Sequence, residues 1–408
     1  KYSVRELKKD FQVLRSALEE GHGAIYRYTP KKEMDRQLDA VASKLTAPMT
    51  AGKFYRLVLP VIAQINDGHT GLRMSEVAHR YYGNKKIFFP FKMKFLRKKP
   101  YLYRNYSTNT ALKMGGEVLS VNGHRMTEIV GKILPLTCSD GRIETSKYKR
   151  LEFTGFFGAM YNMLYGTTVE YTVRYREPGT GKEKEITVPG LEPERLKEVF
   201  RRRYPRAAAD KKPIELVYKD GVAILTIRTF GGRAYNSTGI SYPGFLKNAF
   251  TEFAAKKIRH LVIDLRDNSG GRDDYGKFLF AYLYDKPFMF YQSLTLRNVN
   301  VSFLPYTGNP GISRMLTEQS KKNASGTYDV LGHPNTGEQK PLFPTFKGKV
   351  FVIVNGGSFS ASGEATSLMH YHKLAKFVGE ECGSGYYGNA SGIMPLVTLP
   401  HTGTRLYL

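Results

Sequence analysis

The feature that most constrains this chain is a run of apolar and β-branched residues that stops at glycines and passes directly into a helical pattern. Residues 349–357 read KVFVIVNGG, and residues 360–372 follow as SASGEATSLMHYH. Residues 259–271, RHLVIDLRDNSGG, have the same form and precede the helical pattern DDYGKFLFAYLY. Continuous apolar strands that alternate with helices are typical of a sheet covered on both faces. The C-terminal half is therefore predicted to be an α/β sheet that binds its ligands at the carboxyl ends of strands.

The N-terminal region carries a helical pattern instead. Ser3 and Glu6 have the spacing of a capping box before apolar residues at helical intervals. Thr29 is a candidate cap before a proline suited to the first helical position, and Thr50 is a candidate cap for a third helix. The region ends in the loop NDGHTGL. We therefore expect three helices that deliver His69 to this loop.

The middle of the chain changes to the period of strands. Stretches such as KIFFPFKMKF, from residue 85 onward, and TTVEYTVRY alternate and are rich in aromatic residues. Residues 141–165 read as a helical insertion, and the arginine-rich residues 200–213 read as a linker. We predict a multi-domain α+β chain. Its three domains are an N-terminal helical domain (1–84), a β-rich module (85–205) and an α/β core (206–408).

Composition narrows the classes of function. A chain of 408 residues with 41% apolar residues can bury a large core. No run reaches the roughly 18 apolar residues of a membrane-spanning helix. The net charge of +26 would favour acidic partners, but the basic residues are spread out and no recognition signature for nucleic acid accompanies them. We expect no nucleic-acid partner.

Metal and cofactor signatures are missing from the sequence as well. There is no Cys-x-x-Cys or His-Glu-x-x-His pair, no Walker loop and no Gly-x-Gly-x-x-Gly pattern. We therefore expect neither a metal nor a cofactor. The two cysteines, Cys138 and Cys382, lie far apart, and the sequence leaves open whether they pair.

Three serines follow the strand of residues 350–354, and one of them is a candidate nucleophile. Ser360 begins the helical pattern, where its hydroxyl can be exposed at the sheet edge and free helix amides favour an oxyanion. The alternative is a serine that only caps the helix, since Ser is a preferred N-cap residue. Ser358 is predicted to shape the turn, and Ser362 to lie in the first helical turn. The Gly-x-Ser-x-Gly elbow of α/β-hydrolases is absent.

Two other stretches could assist such a serine. His69 lies in a short polar loop, where an imidazole can act as a general base; the alternative is a solvated side chain. Gly270 and Gly271 follow a strand and leave backbone amides uncovered, so they can donate to a developing negative charge. Their alternative is a tight turn between a strand and a helix.

Taken in order, the motifs resemble those of a known family. INDGHTGL, GGEVLSVNGHRM, LVIDLRDNSGG, VFVIVNGGSFSASGEA and FVGEECGSGYYGNASG, between about residues 69 and 392, look like the C-terminal processing (tail-specific) serine peptidases and the related tricorn-core and interphotoreceptor retinoid-binding-type domains. The resemblance implies a helical cap, a PDZ-like module near residues 88–200 that binds peptide C-termini by strand addition, and a crotonase-like core from about residue 214.

The resemblance also implies roles for individual residues. Ser360 corresponds to the nucleophile and His69 to the general base, and an acyl-enzyme would form and then be released by water. The amide of Gly270 or Gly271, together with that of Ala361, would form the oxyanion hole.

Two departures from the family pattern matter. The bacterial processing branch has a Ser–Lys dyad, but the matching stretch GEECGSGYYG contains no lysine, so the tricorn-like Ser–His branch is preferred. That branch orients its histidine with a glutamate well downstream of the nucleophile, and the chain stops at HTGTRLYL. We expect Glu380 or Asp67 to orient His69 instead. Glu364 is expected to face solvent in the first turn of the helix.

The sequence therefore predicts a serine endopeptidase that acts on peptides or unfolded proteins. The alternative is a catalytically weak or inactive member of the same fold that binds peptides or hydrophobic ligands, because the retinoid-binding relatives are carriers. The chain begins at Lys1 rather than at Met. We expect a signal or anchor segment to have been removed, and hence a periplasmic or secreted protein associated with the cell envelope.

Overall fold

The computed structural model describes residues 1–78, 88–110, 112–205 and 211–408. The described α-helices are α1 (Val4–Ser16), α2 (Lys31–Ala42), α3 (Ala51–Ala63), α4 (Met126–Ile133), α5 (Thr145–Leu151), α6 (Thr154–Tyr165), α7 (Pro193–Arg203), α8 (Gly232–Thr238), α9 (Tyr242–Ala255), α10 (Asp273–Ala281), α11 (Pro310–Glu318) and α12 (Ala361–Tyr371).

The described strands are β1 (Gly71–Arg73), β2 (Phe91–Leu96), β3 (Lys99–Asn105), β4 (Glu117–Val121), β5 (His124–Arg125), β6 (Glu170–Arg176), β7 (Glu183–Pro189), β8 (Ile214–Lys219), β9 (Val222–Ile227), β10 (His260–Asp264), β11 (Phe288–Met289), β12 (Thr295–Leu296), β13 (Ser320–Lys322), β14 (Tyr328–Val330), β15 (Glu338–Gln339), β16 (Lys349–Val354), β17 (Ala375–Gly379), β18 (Leu396–Thr398) and β19 (Arg405–Tyr407). Short turns of 3₁₀ or π helix occupy Ala17–Gly21, Leu134–Leu136 and Leu304–Tyr306.

The first three helices begin largely where the sequence predicts. Ser3 and Glu6 form the reciprocal capping box, in which Ser3 N donates to Glu6 Oε2 at 2.7 Å and Glu6 N donates to Ser3 Oγ at 3.3 Å. Thr50 caps α3 by accepting from Lys53 N. The predicted cap at Thr29 is wrong, because its hydroxyl donates to Gln64 O at 2.7 Å and so ties the loop before α2 to the end of α3.

The β-rich middle forms an antiparallel sheet in the order β2–β3–β4–β6–β7, and β5 pairs with β4. Its helical insertion comprises α5 and α6. The expected domain boundary at residue 84, the first residues of the predicted strand and residues 206–210 of the predicted linker lie outside the described residues. The described start of that linker belongs to α7, because Val199 is buried against Tyr106 and Leu191 and anchors a helical face.

The C-terminal core is the predicted α/β sheet. Its order is β17–β16–β10–β9–β8, in which β9, β10, β16 and β17 run parallel and β8 runs antiparallel to β9. Apolar residues of these strands share one hydrophobic cluster with residues of α9, α10 and α12. β10 and β16 are neighbours with Asp264 opposite Ile353. The loops that follow these two strands therefore emerge side by side at one edge of the sheet.

The C-terminal end of the described chain returns to the N-terminal region. β19 pairs antiparallel with β1, with Leu406 opposite Leu72, and β18 completes this three-stranded sheet. The buried Asp10 in α1 accepts hydrogen bonds from His401 N at 2.9 Å and Thr402 N at 2.8 Å. β1 begins two residues after His69, so its pairing with β19 anchors the loop that carries this histidine.

Two large clusters of buried apolar residues organise the chain. One joins the N-terminal helices, the β-rich module and the C-terminal strands; the other is the core of the parallel sheet. None of the helices in the described ranges is long and apolar enough to cross a membrane.

Candidate active site

Ser360 lies at the junction between the turn after β16 and α12. Its backbone dihedrals are φ 57° and ψ −127°, and its side chain makes no capping hydrogen bond. A side chain other than glycine in such a conformation costs about 1–3 kcal/mol, which the surrounding structure must offset. Part of that support is direct, because Ser360 N donates to Ser384 Oγ at 2.7 Å.

The two neighbouring serines are both buried. Ser358 Oγ donates to Leu265 O at 2.8 Å and accepts from Asn355 N at 3.1 Å, so it shapes the turn. Ser362 is buried in the first turn of α12, and its hydroxyl has no partner among the described residues. Ser360 alone of the three is partly exposed. Its hydroxyl is therefore the one that can meet a substrate.

The glycine turn after β10 packs directly against Ser360. A Cβ on Gly270 would lie 2.7 Å from Phe359 O, 2.7 Å from Ser360 Cβ and 2.9 Å from Ala361 N. Gly270 N already donates to Asn268 Oδ1 at 3.0 Å. The amides of Gly271 and Ala361 have no acceptor among the described residues. These two amides, rather than that of Gly270, remain available to an oxyanion.

His69 is brought to the same place from the N-terminal region. Its ring packs on that of Phe359, with 4.5 Å between centroids and 31° between planes. Both ring nitrogens are buried and have no hydrogen-bond partner within the described part of the chain. The ring is thus next to the nucleophile turn but is not hydrogen-bonded to Ser360. Hydrogen bonds between catalytic groups are often loose in the absence of substrate.

Two buried aspartates face the His69 ring. Ligand atoms of His69, Asp67 and Asp140 all lie within 4.8 Å of one another. Burial lowers the pKa of His69, while the negative charges of Asp67 and Asp140 oppose that shift and Arg150 adds to it. His69 is therefore neutral near neutral pH, which is the state that a general base requires.

Asp67 and Asp140 are bonded in different ways. Asp67 Oδ1 accepts from His69 N at 2.8 Å and Thr70 N at 3.0 Å, both within its own loop. Asp140 accepts from two other segments, with Oδ1 bonded to Gly68 N at 2.6 Å and Oδ2 to Gly385 N at 2.8 Å. Sequence reasoning missed Asp140. The Asp-Gly pair in TCSDGR, between two helical segments, marks only a turn.

His22 supports the Asp67 loop from the other side. Its Nδ1 accepts from Ala24 N at 3.0 Å, so Nε2 carries the proton and donates to Thr70 Oγ1 at 2.6 Å. The Thr70 hydroxyl in turn donates to Asp67 Oδ1 at 3.3 Å. This chain of hydrogen bonds fixes the loop that ends in His69, and burial lowers the pKa of His22 so that it stays neutral.

Two glutamates named in the sequence analysis, Glu380 and Glu364, are not part of this cluster of described residues. Glu380 is exposed at the end of β17, and its backbone N–H donates to Val354 O. The expectation that Glu364 faces solvent is wrong. Its side chain accepts from Tyr291 Oη and Asn389 Nδ2, each at 2.9 Å, and burial raises its pKa. These partners come from distant loops, which a helical pattern cannot reveal.

His69, Asp67 and Asp140 are also a group that could offer ligands to a metal ion. Three carboxylate oxygens of the two aspartates already accept backbone N–H groups. A cation would have to share these oxygens with the amides. Both cysteines are free, and Cys382 Sγ donates to Ser358 O at 2.9 Å behind the nucleophile turn.

Comparisons with known proteins find one sequence family and several similar solved structures. The sequence model of peptidase family S41 matches residues 221–403. A search of curated proteins finds no match. Among solved structures, mature CPAF complexed with lactacystin aligns with a TM-score of 0.64 and 15% identity, covering 99% of this chain and 89% of that chain.

Two further structures are similar. Mature CPAF has a TM-score of 0.61 at 14% identity and covers 99% of this chain and 88% of that chain. The photosystem II D1 C-terminal processing protease has a TM-score of 0.45 at 13% identity, with 99% and 86% coverage. At these identities, the likeness to CPAF shows a shared fold.

Proposed function

Since residues 221–403 belong to peptidase family S41, as the motifs predicted, we propose that this serine-type peptidase hydrolyses peptide bonds with Ser360 as nucleophile and His69 as general base. Its substrates are peptides or proteins. We propose further that they are extended peptides or unfolded proteins, because a peptide bond must reach Ser360, which is only partly exposed.

The backbone of Ser360 is the observation that carries this proposal. Helix N-cap residues normally have an extended conformation and offer a side-chain oxygen to a first-turn amide. Ser360 has φ 57° and makes no such bond. Its strain therefore does not serve to cap α12. A conformation that costs energy and points a partly exposed hydroxyl to the sheet edge is typical of a functional residue.

The reaction follows from the arrangement of the groups. His69 is neutral and takes the Ser360 proton as Oγ attacks the scissile carbonyl carbon. The amides of Gly271 and Ala361 donate to the oxyanion of the tetrahedral intermediate, aided by the positive N-terminus of α12. The imidazolium then gives its proton to the leaving amine, and an acyl-Ser360 ester remains. Water, activated by His69 in the same way, releases the acid product.

A fluorophosphonate probe tests the nucleophile without knowledge of the substrate. Wild-type protein should be labelled at Ser360, Ser360→Ala should not, and Ser362→Ala should be labelled as well as wild type because its hydroxyl is buried. Hydrolysis of fluorescein-labelled casein should follow the same order. Equal labelling of Ser360→Ala and wild type refutes the assignment. A protein that binds peptides but neither reacts nor hydrolyses them would be the carrier that the sequence left as an alternative.

The remaining proposals concern delivery of the substrate. We propose that the sheet of β2 to β7 acts as a PDZ-like module, because its edge strands β2 and β7 can each add a peptide strand. We propose a periplasmic or secreted location, which fractionation of cells expressing the full-length gene would test. Binding of a peptide with a free C-terminus, and its loss on amidation of that terminus, would test the module.

A further inference from the structure

Asp140 connects two segments that carry different parts of the reaction. It follows the turn Leu134–Leu136, precedes α5 and is 3% exposed. One carboxylate oxygen accepts from Gly68 N and the other from Gly385 N, at 2.6 Å and 2.8 Å. A single rigid carboxylate thus fixes the separation of two backbone segments that are far apart in sequence.

One of these segments continues into the proposed base, and the other is hydrogen-bonded to the proposed nucleophile. Gly68 immediately precedes His69. Gly385 immediately follows Ser384, whose hydroxyl accepts the Ser360 amide at 2.7 Å. The path from base to nucleophile is therefore short: His69 loop, Asp140 carboxylate, Ser384 and Ser360. Gly68 also packs closely, since a Cβ there would lie 2.7 Å from the Phe359 ring and 3.0 Å from Asp140 Oδ1.

We propose that Asp140 is the positioning residue that holds the His69 loop in register with the nucleophile turn, and that its negative charge stabilises the imidazolium formed when His69 takes the Ser360 proton. This inference rests on the proposed function. Asp140 would then have the role of orienting His69, which the sequence analysis expected of Glu380 or Asp67.

Other charged and titratable groups surround His69 and Asp140, and their roles differ from that of Asp140. Asp67 is also next to His69, but its bonds stay within one loop, so it shapes that loop and cannot align it with Ser384. Arg150 Nη2 donates to Gly68 O at 2.9 Å and brings a positive charge that disfavours the imidazolium. The Cys138 thiol lies nearby, and burial raises its pKa, so it is neutral near pH 7. The Tyr28 hydroxyl is also close, since a Cβ on Gly385 would lie 3.5 Å from both Tyr28 Oη and Asp140 Cβ.

Asp140→Asn is the direct test because it keeps the shape and removes the charge. The asparagine can still accept one amide, but its NH₂ group must face the other N–H donor. We expect kcat on an internally quenched peptide to fall about 10²-fold with KM little changed, because misplacement of the base by up to 1 Å costs about that much. The acidic limb of kcat/KM should move to lower pH, since the imidazolium loses a neighbouring anion.

Asp10→Asn is the matched control. Asp10 is also fully buried, and its two oxygens also accept two backbone amides, at 2.9 Å and 2.8 Å, but they belong to His401 and Thr402. This variant should lose thermal stability in the same way while kcat and the pH profile per folded molecule stay those of wild type. Asp140→Asn with wild-type kcat and acidic limb, and only a lower Tm, overturns the proposal.

Asp140→Glu is a second test of the proposal, and it can be used if Asp140→Asn does not fold. It retains the charge but is one methylene longer, so the acidic limb should match wild type while kcat falls about tenfold through misplacement. Wild-type kcat, or a limb shifted to lower pH, would contradict the proposal. Failure of the proposed function is distinguishable, because it would appear as undiminished labelling and turnover in Ser360→Ala.

Discussion

Gly270→Ala is the sharpest perturbation of the nucleophile turn that the structure offers. The added methyl would sit 2.7 Å from both Phe359 O and Ser360 Cβ, and 2.9 Å from Ala361 N. Ordinary contacts begin near 3.4 Å, so the turn must move by about 0.7 Å. Two of the three contacts are backbone atoms, which cannot move aside as a flexible side chain would. The displaced atoms include the proposed nucleophile and one proposed oxyanion donor.

The expected effects can be estimated separately. Placing a Cβ at φ +91° costs about 1–2 kcal/mol of folding free energy, and overpacking costs about 1–3 kcal/mol more. For catalysis, misplacement by up to 1 Å can cost about 10²-fold. We therefore expect kcat and the rate of fluorophosphonate labelling to fall about 100-fold at a temperature where the variant is still folded.

Gly221→Ala separates backbone strain from collision. Gly221 lies in the turn between β8 and β9 at φ +76°, and a Cβ there would meet nothing within 4 Å. This control should lose about 1–2 kcal/mol of stability and keep wild-type kcat. Thermal denaturation measures the stability of both variants, and labelling kinetics show whether the collision at Gly270 slows the reaction of Ser360. If Gly270→Ala retains wild-type kcat and labelling, the glycine turn does not set the position of Ser360, and the reasoning fails.

Two further predictions concern protonation. Because burial lowers the pKa of His69 below 6.5, kcat/KM should rise with pH along a limb below pH 6.5 and be flat above it; a limb above pH 7 would contradict a buried neutral base. Because burial raises the pKa of Glu364 above 4.5, its protonated form contributes stability that is lost as pH rises through the folded-state pKa. The Glu364→Gln side chain is neutral at both pH values and still offers polar atoms to Tyr291 and Asn389. The Tm of this variant relative to wild type should therefore be higher at pH 8 than at pH 5, by the equivalent of about 1 kcal/mol. An equal difference at both pH values in thermal denaturation would refute this.

The parts of the fold that were predictable depend on local patterns. The strand, turn and helix around Ser360 follow from an apolar run that ends in glycines, and the capping box at Ser3 follows from two residues three positions apart. β10 and β16 proved to be parallel neighbours, and the rule that ligands lie at the carboxyl ends of strands then brings their two loops together. Local pattern therefore predicted the core sheet and the stretch that the peptidase family S41 model matches.

The parts that could not be predicted depend on contacts between distant segments. Thr29 has the right residue type for a cap, but Gln64 O offers its hydroxyl a tertiary partner. Glu364 fits a solvent-exposed first turn, but Tyr291 and Asn389 enclose it. Asp140 lies in a stretch that reads as an ordinary turn, and only the folded chain shows that it joins Gly68 to Gly385. In each case a tertiary hydrogen bond overrides or extends the local preference.

The distribution of the site along the chain has a physical consequence. Ser360, Gly271 and Ala361 lie within residues 221–403, the segment that the family model matches. His69 and Asp140 lie on other segments, whose buried apolar residues belong to the other hydrophobic cluster. Two contacts hold the base near the nucleophile: the His69 ring packs on Phe359, and the Asp140 carboxylate accepts from both Gly68 N and Gly385 N. Each hydrogen bond of this kind contributes only about 1 kcal/mol. We therefore expect that loss of the Asp140 bonds would displace the base while the parallel sheet, whose core is a separate hydrophobic cluster, stays folded.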